Sequence, residues 1–309
     1  MRVFITGATG VVGRRLVPLL VSAGHQVTAV GRAPEKRAAL ERQGAAAVAL
    51  DLFAPEAVRA AVRAAVRGHD AVVNLATHIP HSFVRMLLPG AWRENDRIRR
   101  EGSAVLAGAA IAEGVPRFVQ ESFAPIYEAG GDRWIDEEWP VRPAKYNRSS
   151  LDAERSARRV TAEGGAGVVL RFAGFYGPDA FHVRELARMI RRGRAPLPGS
   201  PAGFISSISH DDAATATLAA LGVPAGTYNV ADDEPLRRRE FVDALAAALG
   251  AAPPRLPPAW VARLGGSLGE LIARSQRISN RKLRGASGWV PKYPSVREGW
   301  RAAVDGLEA

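Results

Sequence analysis

The stretch "VFITGATGVVGRRL", residues 3–16, constrains the fold more than any other part of the chain. A β-branched run ends at Gly7, glycines recur at positions 10 and 13, and apolar residues at helical spacing follow directly. Each glycine has a separate physical reason: a tight turn, close approach of a ligand to the backbone, and close packing of helix on strand. The helix tip offers unpaired N–H groups and the positive end of its dipole, a setting that suits a pyrophosphate. Such a turn at the head of a βαβ unit of about 30 residues is a fingerprint of dinucleotide binding.

The rest of the N-terminal half repeats this alternation. Strand-like runs "RVFIT", "QVTAV", "AAVAL", "DAVVNLA", "RFVQES" and "AGVVLRF" are separated by the helical patterns "VVGRRLVPLLVSAG", "PEKRAALERQG" and "PEAVRAAVRAAVRG". Strand, helix, strand from the first residue predicts an α/β chain with a doubly wound parallel sheet of the Rossmann kind. The regularity fades near residue 173, where "RGRAPLPGSPAG" and "AAPPRLPP" bring proline and glycine. We therefore expect a dinucleotide-binding domain over 1–172, to which 204–230 returns, and a smaller substrate-binding region over most of 173–309.

The end of the second strand selects the dinucleotide. An acid there binds a ribose 2′-hydroxyl, whereas an arginine accommodates a 2′-phosphate. This chain reads "TAVGRAPEK", with Gly31 where the acid would stand and Arg32 beside it, so NADP is favoured and NAD is the alternative. Lys36 adds a charge nearby. Asp51, with Leu52, ends the third strand and is placed to meet adenine, while Leu75, Ala76 and Thr77 end the fourth and line the path to the nicotinamide. With Gly7, Thr9, Gly10, Val11, Val12, Gly13, Arg32 and Tyr146, these form the expected cofactor set.

Composition removes several alternatives. The absence of cysteine excludes disulfides and thiolate chemistry, and no apolar run reaches the roughly 18–20 residues that span a bilayer. A strand-like run from residue 2 leaves no place for a leader, so a cytoplasmic protein is expected. The net charge of +11 invites a nucleic-acid reading, but the arginines are scattered through alanine-rich helices without a basic block. Small phosphorylated molecules are the partners such a charge attracts more simply. His78 and His81 stand three apart in "ATHIPHSF" with no third ligand in view, so no metal site is expected.

Several stretches together resemble one family. "TGATGVVG" matches TGxxGxxG; "RFAGFYGP", "SSISHDDAATATLAAL", "GTYNVADDEPLRRREFVDALAAALG" and "SNRKLRGASGWVPKYPSVREGW" are similar to later segments of extended short-chain dehydrogenase/reductases of the NAD-dependent epimerase/dehydratase type. The resemblance spans nearly the whole chain. It implies a small-molecule substrate with a carbonyl or hydroxyl group, in many members a nucleotide sugar. It also implies a homodimer through the helices at "NDRIRREGSAVLAGAA" and "SLDAERSARRV".

The same resemblance implies a Ser or Thr, a Tyr, and a Lys four residues beyond it. "AKYNRSSLDAE" puts Tyr146 on the tyrosine but Ser150 on the lysine, and "ESFAPIY" puts Phe123 on the serine, with Ser122 one residue earlier. A one-residue slip turns a strand side chain to the other face, and a bulge near Pro125 would be needed to restore Ser122. A free tyrosine is ionised in about one molecule per thousand at pH 7, and bringing its pKa to 7 takes about 4 kcal/mol. Ser150 brings no charge, and Lys145 and Arg148 point elsewhere on a helix. Tyr146 is therefore expected to act as a neutral donor to a ketone, helped by Ser122 or Tyr127. Glu121 is either a buried acid or an exposed strand-end residue. The rival reading is a catalytically silent NADP-binding sensor.

Overall fold

The computed structural model describes residues 1–53, 56–86, 88 and 90–308. Seven parallel strands form the central sheet: β1 (Arg2–Thr6), β2 (Gln26–Val30), β3 (Ala46–Val48), β4 (Ala71–Asn74), β5 (Arg117–Phe123), β6 (Ala166–Phe172) and β7 (Gly226–Val230). Their order is β7-β6-β5-β4-β1-β2-β3. From β1 the chain winds outward through β2 and β3, then returns to β4 on the other side and winds the opposite way. Ligands bind in such sheets where the winding reverses, at the strands' carboxyl ends. Here that is the gap between β1 and β4.

Helices α1 (Gly13–Ser22), α2 (Pro34–Arg42), α3 (Glu56–Val66), α4 (Ser103–Ala112) and α5 (Ser150–Ala162) connect the first six strands. After them come α6 (Phe181–Arg191), α7 (His210–Ala219), α8 (Arg238–Ala248), α9 (Gly266–Ala273) and α10 (Val296–Glu308). Pro55, the first residue of the third helical pattern, lies outside the described residues. One face of the sheet packs Ile5, Val73, Val119 and Leu170 against Leu16, Val17 and Leu20 of α1 and the alanines of α7. The other packs Phe4, Val72 and Phe118 against α3, α4 and α5. Each such apolar side chain contributes about 1.5–3 kcal/mol when fully buried, which is why the inner strands read as unbroken apolar runs rather than alternating ones.

Pro18 sits inside α1 and cannot donate to the carbonyl of Arg14. Gln43 Nε2 reaches that carbonyl at 3.4 Å instead. A second apolar cluster, with Trp300 fully buried at its centre, joins α6, α8 and α10 beside the sheet.

Candidate active site

The glycine turn is built as tightly as the sequence demands. Gly7 has φ +72°, and a Cβ there would lie 2.4 Å from the Leu75 backbone, so the turn leaving β1 presses on the end of β4. A Cβ at Gly13 would fall 2.2 Å from the Gly7 carbonyl oxygen, which fixes α1 against the turn. Gly10 is exposed, and its Cβ would meet only the Gly7 carbonyl, at 3.2 Å. Two glycines are thus forced by protein packing, and the third leaves its backbone open to a ligand. That arrangement fits a pyrophosphate at the start of α1.

A cleft of about 300 Å³ opens from this turn. Gly7, Gly10, Val11, Val12, Gly13, Leu75, Thr77 and Tyr146 all line it, together with Ile79, Met86, Trp92, Phe123, Phe172, Phe175, Phe181 and Leu268. Its walls are mostly apolar. Below it a buried polar knot holds the strand ends in register: Thr6 Oγ1 donates to Asn74 Oδ1 at 2.6 Å, and Asn74 Nδ2 donates to Gln120 Oε1 at 2.9 Å and Ser103 Oγ at 3.1 Å.

Tyr146 lies in a 3-10 turn, Lys145–Asn147, just before α5, and its ring tilts against Trp92 at 4.6 Å between centroids. Burial pushes the phenol's pKa above its ordinary value, against the opposing pull of the Arg99 and Arg274 guanidiniums. Lys145 and Arg148 are exposed. Asn147, beside it, is buried and lines the cleft, yet neither side-chain polar atom has a partner among the described residues. An unsatisfied buried amide costs about 1–3 kcal/mol, and this one is left open toward the cleft. Sequence reasoning passed over it, because an asparagine beside a tyrosine carries no signal of its own.

Ser150 is fully buried and accepts a hydrogen bond from Arg99 Nη1 at 2.9 Å. Arg99 also grips Glu121 with both edges, Nη2 to Oε1 at 2.5 Å and Nε to Oε2 at 3.3 Å. Arg99 and Glu121 both line the cleft. Glu121 is thus a buried acid with a dedicated partner. A guanidinium reaches the place where the family resemblance puts a lysine, but it arrives already neutralised. Arg99 lies in one turn of π-helix, Ile98–Gly102, between the helical segment Arg93–Arg97 and α4. Such turns often mark functional sites. The residue was missed because "NDRIRREG" reads as an ordinary charged helix face.

The expectation that Ser122 or Tyr127 assists Tyr146 is corrected by the structure. Strand β5 pairs regularly with β6 through Phe123, with no bulge, so Glu121 and Phe123 face the cleft and Ser122 faces away. Ser122 Oγ donates to Glu154 Oε1 at 2.7 Å, and Glu154 accepts both edges of Arg171 at 2.8 Å. Arg171 Nη1 donates to the Tyr127 hydroxyl at 2.8 Å, which donates to Asn229 Oδ1 at 2.7 Å. Neither Ser122 nor Tyr127 lines the cleft, and burial raises the Tyr127 pKa. They belong to a buried structural network.

Thr9, Arg32, Asp51, Leu52 and Ala76 lie outside the cleft lining. Arg32 is exposed past the end of β2. Arg37 packs over Gly31, where a Cβ would lie 2.9 Å from the Arg37 Cγ, and it donates to the carbonyls of Gly31 and Arg32. Arg37 thus occupies the room an acid would need, a detail hidden in the sequence. The exposed Asp51 carboxylate accepts from Phe53 N at 2.9 Å, and Leu52 packs near Gly102. At the mouth, His78 and His81 are exposed with rings 6.5 Å apart, and no metal-binding cluster of His, Asp and Glu occurs among the described residues. His182 lines the cleft; one ring nitrogen lies 2.8 Å from the Phe175 carbonyl, and burial lowers its pKa.

Residues 3–231 match the model of the family described as NAD dependent epimerase/dehydratase. The chain belongs to that family. It is an NAD(P)-binding, oxidoreductase-type protein, and no helix among its described residues is long and apolar enough to cross a membrane. The family member "3-diazoavenalumate denitrifying reductase" of Streptomyces is 35% identical over 97% of this chain and 99% of its own length. The "2-alkyl-3-oxoalkanoate reductase" of Stenotrophomonas maltophilia is 30% identical over 89% of this chain and 83% of its own. Among solved structures, the Thermus thermophilus UDP-glucose 4-epimerase in complex with NAD superposes with a TM-score of 0.77 at 27% identity, covering 100% of this chain and 99% of its own. A human epimerase family protein with NADPH gives the same score at 22% identity, covering 99% of each chain.

Proposed function

We propose that this family member is an NADPH-dependent reductase of a carbonyl in a small, largely apolar substrate, with Tyr146 as the proton donor. The observation that carries this reading is a half-buried Tyr146 lining an aromatic cleft that begins at the glycine turn, where burial raises the phenol's pKa. The α1 tip and Gly10 receive the pyrophosphate, Arg32 and Arg37 the 2′-phosphate, and the open amide of Asn147 meets the dinucleotide or the substrate. The nicotinamide supplies hydride when bound. Tyr146 gives its hydroxyl proton to the carbonyl oxygen as that oxygen gains charge, a direction that needs no phenolate beforehand. Arg99 then faces the phenolate formed. Apolar walls favour this over the sugar of a nucleotide sugar, whose hydroxyls would lose hydrogen bonds to water here. The reductases among the relatives support the same direction.

A second reading is favoured by the relative of highest identity reported above, whose name couples a diazo group with reduction. Hydride that replaces a diazonium group releases dinitrogen and leaves a C–H bond, so no proton donor is required. Tyr146→Phe separates the two. Ketone reduction should fall about 10²–10⁴-fold with NADPH binding retained, as loss of a general acid does, whereas reduction of a diazo substrate should be unchanged. If the wild type turns over neither class, the silent sensor becomes the better account.

A further inference from the structure

A second hollow of about 680 Å³ adjoins the cleft, and no step of the proposed reaction uses it. Leu268 of α9 lines both spaces. Helix α6 runs along both as well: Phe181 and His182 face the cleft, and Met189, seven residues beyond His182, faces the hollow. At about 1.5 Å per helical residue the two sites lie about 10 Å apart along that helix. The walls are Leu197, Leu256, Val261, Leu264 and Ile272, with Pro196, Pro198 and Pro257, whose backbones offer no N–H. Leu264 is 76% exposed and the adjacent Trp260 is 60% exposed, unusual values for side chains of that size.

The hollow is assembled from distant segments. Ala195 N donates to the Arg255 carbonyl at 3.1 Å and Arg255 N to the Gly193 carbonyl at 2.9 Å, which brings the two proline-rich stretches together. The same bonding places Arg194 and Arg255 side by side on the lining. Both are exposed, and neither guanidinium is paired among the described residues. An apolar hollow with two cations that have no partner among the described residues is chemically matched to an amphipathic anion.

We infer that this hollow binds the apolar chain of an amphipathic carboxylic acid, with Arg194 and Arg255 receiving the carboxylate. The chain's other end passes Leu268 into the cleft, so the substrate class of the proposed reductase is a medium- or long-chain oxo acid. The substrate assignment rests on the reductase reading; the binding site does not.

Binding is tested by calorimetry of the full chain without dinucleotide, using dodecanoate, dodecanol and butanoate. Dodecanoate should bind saturably. Because each buried methylene strengthens binding about three- to fourfold, butanoate should not saturate in the same range. Dodecanol, lacking the charge, should bind about tenfold more weakly. Leu264→Asp and the double variant R194A/R255A should each weaken dodecanoate at least about tenfold at unchanged Tm, since all three residues are exposed. Reduction of oxo acids should then show KM falling with chain length in the wild type and not in Leu264→Asp. Saturable dodecanoate binding without turnover of any oxo acid would remove the reductase reading and keep the site. Turnover of short ketones with no dodecanoate binding would do the reverse. Unchanged binding in both variants, or a stable dimer broken by Leu264→Asp that shows a second copy covering the hollow, would overturn the site.

Discussion

Tyr146 is surrounded by Trp92, Phe123 and other apolar wall residues, and that setting makes its ionisation costly. A proton donor works while protonated, and burial moves the loss of its proton to higher pH than the ordinary value of about 10. The rate of carbonyl reduction is therefore expected to be flat in Tyr146 ionisation between about pH 6 and 9. A basic limb near pH 7–8 that vanishes in Tyr146→Phe would show a tyrosine that ionises readily. The Arg99–Glu121 pair gives a second residue-level test. Removing one partner leaves a buried charge alone, so Arg99→Met or Glu121→Gln should cost about 3–5 kcal/mol in chemical denaturation. R99M/E121M together should recover most of it; an additive loss would mean that the two groups do not act as a pair. The tyrosine was legible in the sequence. Its guanidinium neighbour was not, because Arg99 and Ser150 meet only after a π-turn and a helix start are folded against each other.

At the level of elements, the strands and the glycine turn were legible because they are local. Alternation of apolar runs and helical patterns gave all six proposed strands, and the three glycines stand where packing and ligand access require them. Strand β5 shows both the strength and the limit of that reading. The period of two placed Ser122 and Phe123 on opposite faces, and the unbroken pairing with β6 decided that no bulge returns the serine to the cleft. Ser122→Ala should therefore cost about 1–3 kcal/mol of stability by unsatisfying Glu154, with kcat unchanged within error. A large loss of kcat at unchanged Tm would restore Ser122 to the chemistry. What the sequence could not show was the partner of each buried polar group, since Glu154, Arg171, Tyr127 and Asn229 come from four separate elements.

For the whole molecule, a few arginines are tied to acids that come from distant parts of the chain. Arg15 bridges Asp179 and Asp211, Arg171 holds Glu154, and Arg99 holds Glu121. Arg32 beyond β2, and Arg194 with Arg255 at the second hollow, are among the exposed arginines. The hollow itself was illegible, because "RGRAPLPGSPAG" and "AAPPRLPP" look like connectors until backbone bonds at residues 193–195 and 255 bring them together.

In the proposed function, the reversal between β1 and β4 holds a nicotinamide dinucleotide with its 2′-phosphate on Arg32 and Arg37. Calorimetric titration of the purified chain with NADPH and with NADH tests it most directly. One saturable site per chain is expected, tighter for NADPH, with R32A/R37A removing about 1–3 kcal/mol of the NADPH affinity and little of the NADH affinity. Equal affinities that fall together in the variant would contradict the arginine assignment, and the absence of saturable heat with either dinucleotide would contradict the site.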